Sequence, residues 1–365
     1  MVSFTPTEDQ QLLIDTINRY ANNDVRPVAH EADEASEPPL AVVETGWQLG
    51  LVPSSIPEEL GGFGEMSALT GVLAAEELAF GDLSVAMHIL APALFAYPLV
   101  LFGTAEQREQ YLPAFLEESL YPATAALLEP GILFDANALK TTANTDGDQI
   151  TLNGTKAYVP LADDAPVLLV YARDSASGET GAYIVEKDAE GVEIEKRELL
   201  MGLRSLPMFR VNFNNVTVDA AATLGGAVGM DYGTILNRMR AALAAMAVGV
   251  ARGSYEYARE YAKERVQFGK PIAQNQAIAF MLAEMAIEID ATRLMVWEAA
   301  WKLDKGDDAT KEAYLAKQYA DKMVLTVTDG GVQTLGGYGF IREYPVERWL
   351  RNGRGFPTFD GLAIV

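Results

Sequence analysis

The apolar residues of this chain keep a three- and four-residue spacing up to about residue 115. They then fall into short β-branched runs, and the helical spacing returns after Gly229. A helix face needs the first pattern and a half-buried strand needs alternation, so no single repeating architecture accommodates all three stretches. The chain is expected to fold as α+β, mainly α, with an N-terminal helical domain over 1–121, a middle antiparallel β domain over 122–229 and a C-terminal four-helix-bundle domain over 230–365. Its length allows this, since a domain takes roughly 100 to 200 residues.

In the first part, helices are predicted over residues 11–20, 40–49, 68–78 and 84–102. Pro38-Pro39 precedes one of them, and the loop Ile56-Pro57-Glu58-Glu59-Leu60-Gly61-Gly62 separates two others. In the middle part, strands are predicted over 149–152, 167–172, 181–185, 192–195 and 209–213. Asp146-Gly147-Asp148 and Asn153-Gly154 are read as turns between strands. In the last part, three long helices are predicted over 232–266, 274–304 and 311–334, for which a bundle is the natural packing.

Composition removes several function classes. The chain has no cysteine, which excludes disulfides, thiolate metal sites and a cysteine nucleophile. Its two histidines, His30 and His88, are isolated and read as ordinary structure. A formal charge of −23 is wrong for a nucleic-acid partner, which needs clustered Lys and Arg. No apolar run reaches the 18 or so residues of a membrane span. The first ten residues carry Asp and Glu where a secretory leader has Lys or Arg, so a cytoplasmic location is expected.

Two blocks in the last third carry a specific likeness. One is Glu264-Arg265-Val266-Gln267-Phe268-Gly269-Lys270-Pro271-Ile272 with Asn275-Gln276 after it. The other is Gln333-Thr334-Leu335-Gly336-Gly337-Tyr338-Gly339-Phe340, continuing through Glu343-Tyr344-Pro345-Val346-Glu347-Arg348. Both resemble the signatures of the acyl-CoA dehydrogenases. Shorter matches at 57–64, at Phe102-Gly103-Thr104-Ala105-Glu106-Gln107, at Glu129-Pro130-Gly131 and at Asn153-Gly154-Thr155-Lys156 extend the resemblance over nearly the whole chain.

The resemblance implies a flavoprotein holding FAD, in which a carboxylate takes the α-proton of an acyl-CoA thioester while hydride leaves the β carbon for the flavin. By position, Arg265 and Gln267 would meet the FAD pyrophosphate, and Gln276, Gln333, Gly336 and Gly337 would surround the adenosine and diphosphate. Part of this set serves a neighbouring subunit in the family, so a homo- or hetero-oligomer is implied, with Trp297, Trp301 and Leu303 as an apolar face for it. An electron-transferring flavoprotein is the implied electron partner.

Around the flavin ring the chain departs from the family. Thr-Glu-Pro-Gly-Ala-Gly-Ser-Asp is replaced by Leu128-Glu129-Pro130-Gly131-Ile132-Leu133-Phe134-Asp135, and Trp-Ile-Thr-Asn by Tyr158-Val159-Pro160-Leu161. Tyr158 can still stack on a ring, whereas Pro160 offers no hydroxyl and no N–H. The catalytic Glu motif reads Phe359-Asp360-Gly361-Leu362, which makes Asp360 the candidate base and Gly361 a candidate substrate contact. The family's other position for a base holds Met239. Asn237 and Arg240 stand where the family has an Asp-x-x-Arg pair for the CoA arm, with the charge kept only at Arg240. Three readings stand side by side: an FAD-dependent acyl-CoA dehydrogenase using Asp360, a non-catalytic or half-site subunit of a heteromeric dehydrogenase, and a CoA-thioester-binding scaffold without redox activity.

Overall fold

The computed structural model describes residues 5–365. The N-terminal helices are α1 (Glu8–Tyr20), α2 (Arg26–Ala35), α3 (Leu40–Trp47), α4 (Ala68–Gly81), α5 (Leu83–Leu90), α6 (Ala93–Phe102) and α7 (Ala105–Tyr111). Thr7 starts α1 with a reciprocal capping box to Gln10. The chain between α1 and α2 stays helical through a π turn, Ala21–Val25, where the polar run Asn22-Asn23-Asp24 gave no helical signal. The helix expected over 84–102 is broken at Ala91-Pro92 into α5 and α6, bent by 41°. No single helix among the described residues is long and apolar enough to cross a membrane.

The middle part holds β1 (Thr124–Ala126), β2 (Thr142–Asp146), β3 (Gln149–Pro160), β4 (Val167–Asp174), β5 (Thr180–Glu186), β6 (Val192–Ile194) and β7 (Met208–Asp219). The antiparallel expectation is corrected at two pairings, because β1 and β2 both run parallel to β4. Both edges of β3 are taken, by β2 and β7, so β4 sits beyond β2; it runs back opposite to β3 and is therefore parallel to β2, which is antiparallel to β3. Asn153-Gly154 is also corrected, from a turn to the middle of β3. There Gly154 sits in a bulge at φ +151°, where a Cβ would come within 2.6 Å of the Thr141 hydroxyl.

The last part holds α8 (Tyr232–Glu264), the small hairpin β8 (Val266–Gln267) and β9 (Lys270–Pro271), α9 (Gln276–Asp304), α10 (Thr310–Leu335) and α11 (Val346–Gly353). Within this part the three long helices are joined by α11, whose eight residues make a short fourth member. The buried small residues 241–251 of α8 let α4 approach closely, and a Cβ on Gly249 would come within 2.2 Å of the Glu76 carbonyl. Across that contact, Arg252 pairs with Glu76 and Glu77, and Arg293 of α9 pairs with Glu76. The main apolar core therefore runs from α1 and α4 through α8 to α9 and α10. A second cluster ties α6 to the sheet.

Candidate active site

The loop after α11 is shaped by two glycines. A Cβ on Gly355 would overlap the Phe359 ring, at 2.1 Å from Cζ, and backbone N–H groups of Thr358 and Phe359 donate to the Gly355 carbonyl. Gly361 has φ +70°, and a Cβ there would stand 2.6 Å from Leu127 Cδ2, so this residue is buried against the end of β1. Gly361→Ala is expected to destabilise the fold by about 1–3 kcal/mol through left-handed backbone strain alone. Urea unfolding followed by tryptophan fluorescence measures it as a lower midpoint at unchanged slope.

Between these glycines, Asp360 is half-buried, and its Oδ1 is buried with no hydrogen-bond partner. Burial pushes its carboxyl pKa up, and Asp135 adds to this, while Lys317 and Arg240 pull the other way. Lys317, buried on α10, donates to the Phe356 carbonyl at 2.8 Å and to Asp321 Oδ1 at 2.7 Å. Arg240, from α8, lies 5.4 Å from the Tyr314 ring centroid. Asn237 donates to Thr310 Oγ1 at 3.1 Å. At the start of the same helix, the Tyr232 hydroxyl donates to the Ala136 carbonyl at 2.7 Å and holds the loop bearing Asp135 against α8. Asp360 thus stands where α8, α10 and the β domain meet.

On the β side, Glu129 is buried and accepts hydrogen bonds from the backbone N–H groups of Lys140 and Thr141 and from Lys156 Nζ at 2.9 Å. Lys156 also donates to the Leu127 carbonyl, the same residue that Gly361 packs against. Burial works against the Glu129 carboxylate, but Lys156 and the N–H donors outweigh it and hold its pKa below the usual value. Burial pulls the Lys156 ammonium down to about 8. Two residues further on, Tyr158 has φ +54° and Leu161 has φ +56°, conformations that cost a non-glycine residue about 1–3 kcal/mol. Pro160 is buried opposite Met208 of β7. Ile132 and Leu133 are fully exposed, while Phe134 is partly buried.

Glu129 and Lys156 stand 27 residues apart in separate sequence matches, and nothing in the sequence pairs them. The available signal was a lysine among the apolar residues of a strand.

A second site lies at the other end of α8. Arg265 caps that helix, and with Gln267, Phe268, Gly336, Gly337 and Tyr338 it lines a cleft of about 610 Å³. A Cβ on Gly336 or Gly337 would meet nothing within 4 Å, so the backbone is open to a ligand, and Phe268 is 96% exposed. The Arg265 guanidinium stands 5.2 Å from the Tyr338 ring centroid. Gln276 is exposed at the first turn of α9, beside Asn275, which lines the cleft. Gln333 lines a neighbouring groove between α9 and α10 instead, with Lys322 and Asp329. Along the unbroken α8, Arg240 and Arg265 are separated by about 37 Å at 1.5 Å per residue. Arg240, beside Asp360, and the Arg265 cleft thus lie toward opposite ends of α8.

The three family models for the N-terminal, middle and C-terminal domains of acyl-CoA dehydrogenase match residues 7–119, 124–216 and 230–363. A 3-(aryl)acrylate reductase of Clostridium sporogenes is 34% identical over 98% of this chain and 96% of its own length. Subunit CarC of the caffeyl-CoA reductase-Etf complex of Acetobacterium woodii is 37% identical over 93% of this chain and 90% of its own length. Among solved structures, the FAD complex of PigA superposes with a TM-score of 0.89 at 25% identity, covering 98% of this chain and 95% of the other.

Proposed function

Since this chain belongs to the acyl-CoA dehydrogenase family, we propose that it uses FAD to exchange two hydrogens across the α,β carbon–carbon bond of an acyl-CoA thioester, with Asp360 handling the proton. The observation that carries this reading is the half-buried Asp360 carboxyl, one oxygen of which has no protein partner, set beside Arg240 and Lys317. A desolvated carboxyl with a raised pKa is a stronger base than one in water, and its protonated form is available over more of the pH range. In the oxidative direction Asp360 removes the proton next to the thioester carbonyl; in the reductive direction it returns one. Arg240 supplies a positive charge for the anionic CoA arm on the same side. Two relatives named as reductases support the reductive direction, a rat short/branched chain specific acyl-CoA dehydrogenase, 33% identical over 99% of this chain, supports the oxidative one, and the Etf complex of one reductase supports an electron-transferring flavoprotein as partner.

The Arg265 cleft fits the polar half of FAD. It offers a guanidinium for the diphosphate, open backbone at Gly336 and Gly337, and aromatic faces at Phe268 and Tyr338. Tyr158 is the residue present for stacking on the ring. Bound FAD would supply the hydride exchange at the β carbon. With the two regions about 37 Å apart along α8, the Arg265 cleft of one chain serves the Asp360 of another, and assembly precedes cofactor binding. Arg265→Ala is then expected to weaken FAD binding roughly tenfold to a hundredfold, the worth of a charge-assisted hydrogen bond. Titration of the apoprotein with FAD, followed by flavin fluorescence, measures this.

A half-site role in a heteromer is favoured by Pro160, which has no N–H to offer, and by the exposed pair Ile132 and Leu133. Purification from the native host separates the two readings. A second dehydrogenase-type chain in equal amount supports the heteromer, and this chain alone, yellow and bleached anaerobically by 3-phenylpropionyl-CoA, supports the homomeric enzyme.

A further inference from the structure

Lys317, the buried cation beside Asp360, has so far been given a place and no task. An ammonium has three N–H donors. At Lys317, one goes to Asp321 Oδ1 at 2.7 Å and one to the Phe356 carbonyl at 2.8 Å, which leaves the third uncommitted. The Phe356 carbonyl is also the acceptor for the Phe359 N–H at 3.2 Å, so Lys317 grips the turn that presents Asp360. Lys317 is only 5% exposed, and few charged side chains are buried without a task for the charge.

We propose that Lys317 is a positioning residue for Asp360: it fastens the 356–360 turn to α10, and its charge, shared with Asp321, sets the pH range over which Asp360 is ionised. This rests on the reading of Asp360 as the proton-exchanging group.

The charges around Asp360 from each packed element are few. Lys317 and Asp321 come from α10, Arg240 and the Tyr232 hydroxyl from α8, and Asp135 from the loop before β2. Two cations and two carboxyls nearly balance, so removing one shifts Asp360 in a direction that its sign dictates. Asp321 is itself pushed up to about 6 by burial, with Lys317 opposing and Asp360 adding. Below that pH Asp321 becomes neutral, and Lys317 then faces Asp360 as an uncompensated cation. With Asp321 neutral, Lys317 holds the Asp360 midpoint lower than it does when both carboxyls are charged.

The test uses the whole FAD-loaded assembly, with Lys317→Met, Lys317→Arg and Asp321→Asn. Carbon-13 NMR of labelled aspartate carboxyls reads Asp360, assigned through Asp360→Asn, and anaerobic flavin bleaching by 3-phenylpropionyl-CoA reads the rate across pH. Lys317→Met is expected to move the Asp360 midpoint up and, by releasing the turn, to slow bleaching roughly a hundredfold. Lys317→Arg should restore most of the midpoint, and Asp321→Asn should move it down with the turn still held. If Lys317→Met does not fold, the downward shift in Asp321→Asn decides alone. Midpoints unchanged in both variants overturn the proposal. Shifted midpoints in a protein whose bleaching is indifferent to Asp360→Asn would leave the Lys317 coupling standing and remove the role of Asp360 instead.

Discussion

Asp360→Asn is expected to lower the rate of flavin bleaching by an acyl-CoA about 10²–10⁴-fold, the usual worth of a positioned general base. Flavin content and assembly should not change. The amide has the shape of the carboxyl, and Oδ1 has no protein hydrogen bond to lose. The sign of the pH dependence follows from the raised pKa. In the oxidative direction the working form is the carboxylate, so the rate falls as pH drops through the folded-state value. That limb lies higher than for an aspartate in water. In the reductive direction the protonated acid works, and the same group gives a rate that falls as pH rises. Stopped-flow bleaching across pH, with wild type and variant at equal flavin content, measures both the loss and the limb.

Lys156→Met is expected to cost about 3–5 kcal/mol of stability, because it leaves Glu129 buried without its cation. Side-chain exposure is 0% for Lys156 and 5% for Glu129, so water cannot replace the lost partner. The double variant Lys156→Met/Glu129→Gln removes both charges and should recover part of the loss; the Lys140 and Thr141 N–H groups go to different carboxylate oxygens, so the amide oxygen keeps one of them as donor and loses the other. Urea unfolding of the three proteins measures the coupling between the two residues. The consequence for function lies in Tyr158, two residues beyond Lys156, whose left-handed conformation persists only while the strand around it is held. Flavin retention in Lys156→Met should fall with stability, and recover with it in the double variant.

What the sequence makes legible is what repeats along it. Helices α8, α9 and α10 were read to within two residues at each end, since a buried face over many turns leaves a strong period. The stretch from Ala21 to Ala35 was missed because its helix passes through a π turn bearing Asn22, Asn23 and Asp24, residues that favour loops. Asn153-Gly154 carries the chemistry of a hairpin turn, yet the strand continues through it, because Thr141 packs where a Cβ would stand.

At the candidate sites, the sequence shows residue types and not their neighbours. Arg265, Gln267, Gly336 and Gly337 do share one cleft, whereas Gln333 faces the next groove and Gly361 is packed on Leu127. The orientation of a side chain about its helix, and the closeness of two loops, arise from packing between distant segments. Lys317 and Asp321 were invisible for that reason. They stand at i and i+4 like many surface pairs, and only the fold buries them behind Asp360.

On the proposed reading, a working site takes Asp360 from one chain and the Arg265 cleft from another. Co-expression of Asp360→Asn chains with Arg265→Ala chains, carrying different tags so that only the mixed assembly is purified, tests it most directly. Each variant alone has every site damaged. In the mixed assembly, one kind of site joins the intact Asp360 of one chain to the intact Arg265 of the other. Bleaching by an acyl-CoA that reduces the wild-type flavin should return to about half of the wild-type value, because about one site in two is whole in such a closed pair. A mixed assembly as inactive as its two parents, at full recovery of folded protein, would contradict it.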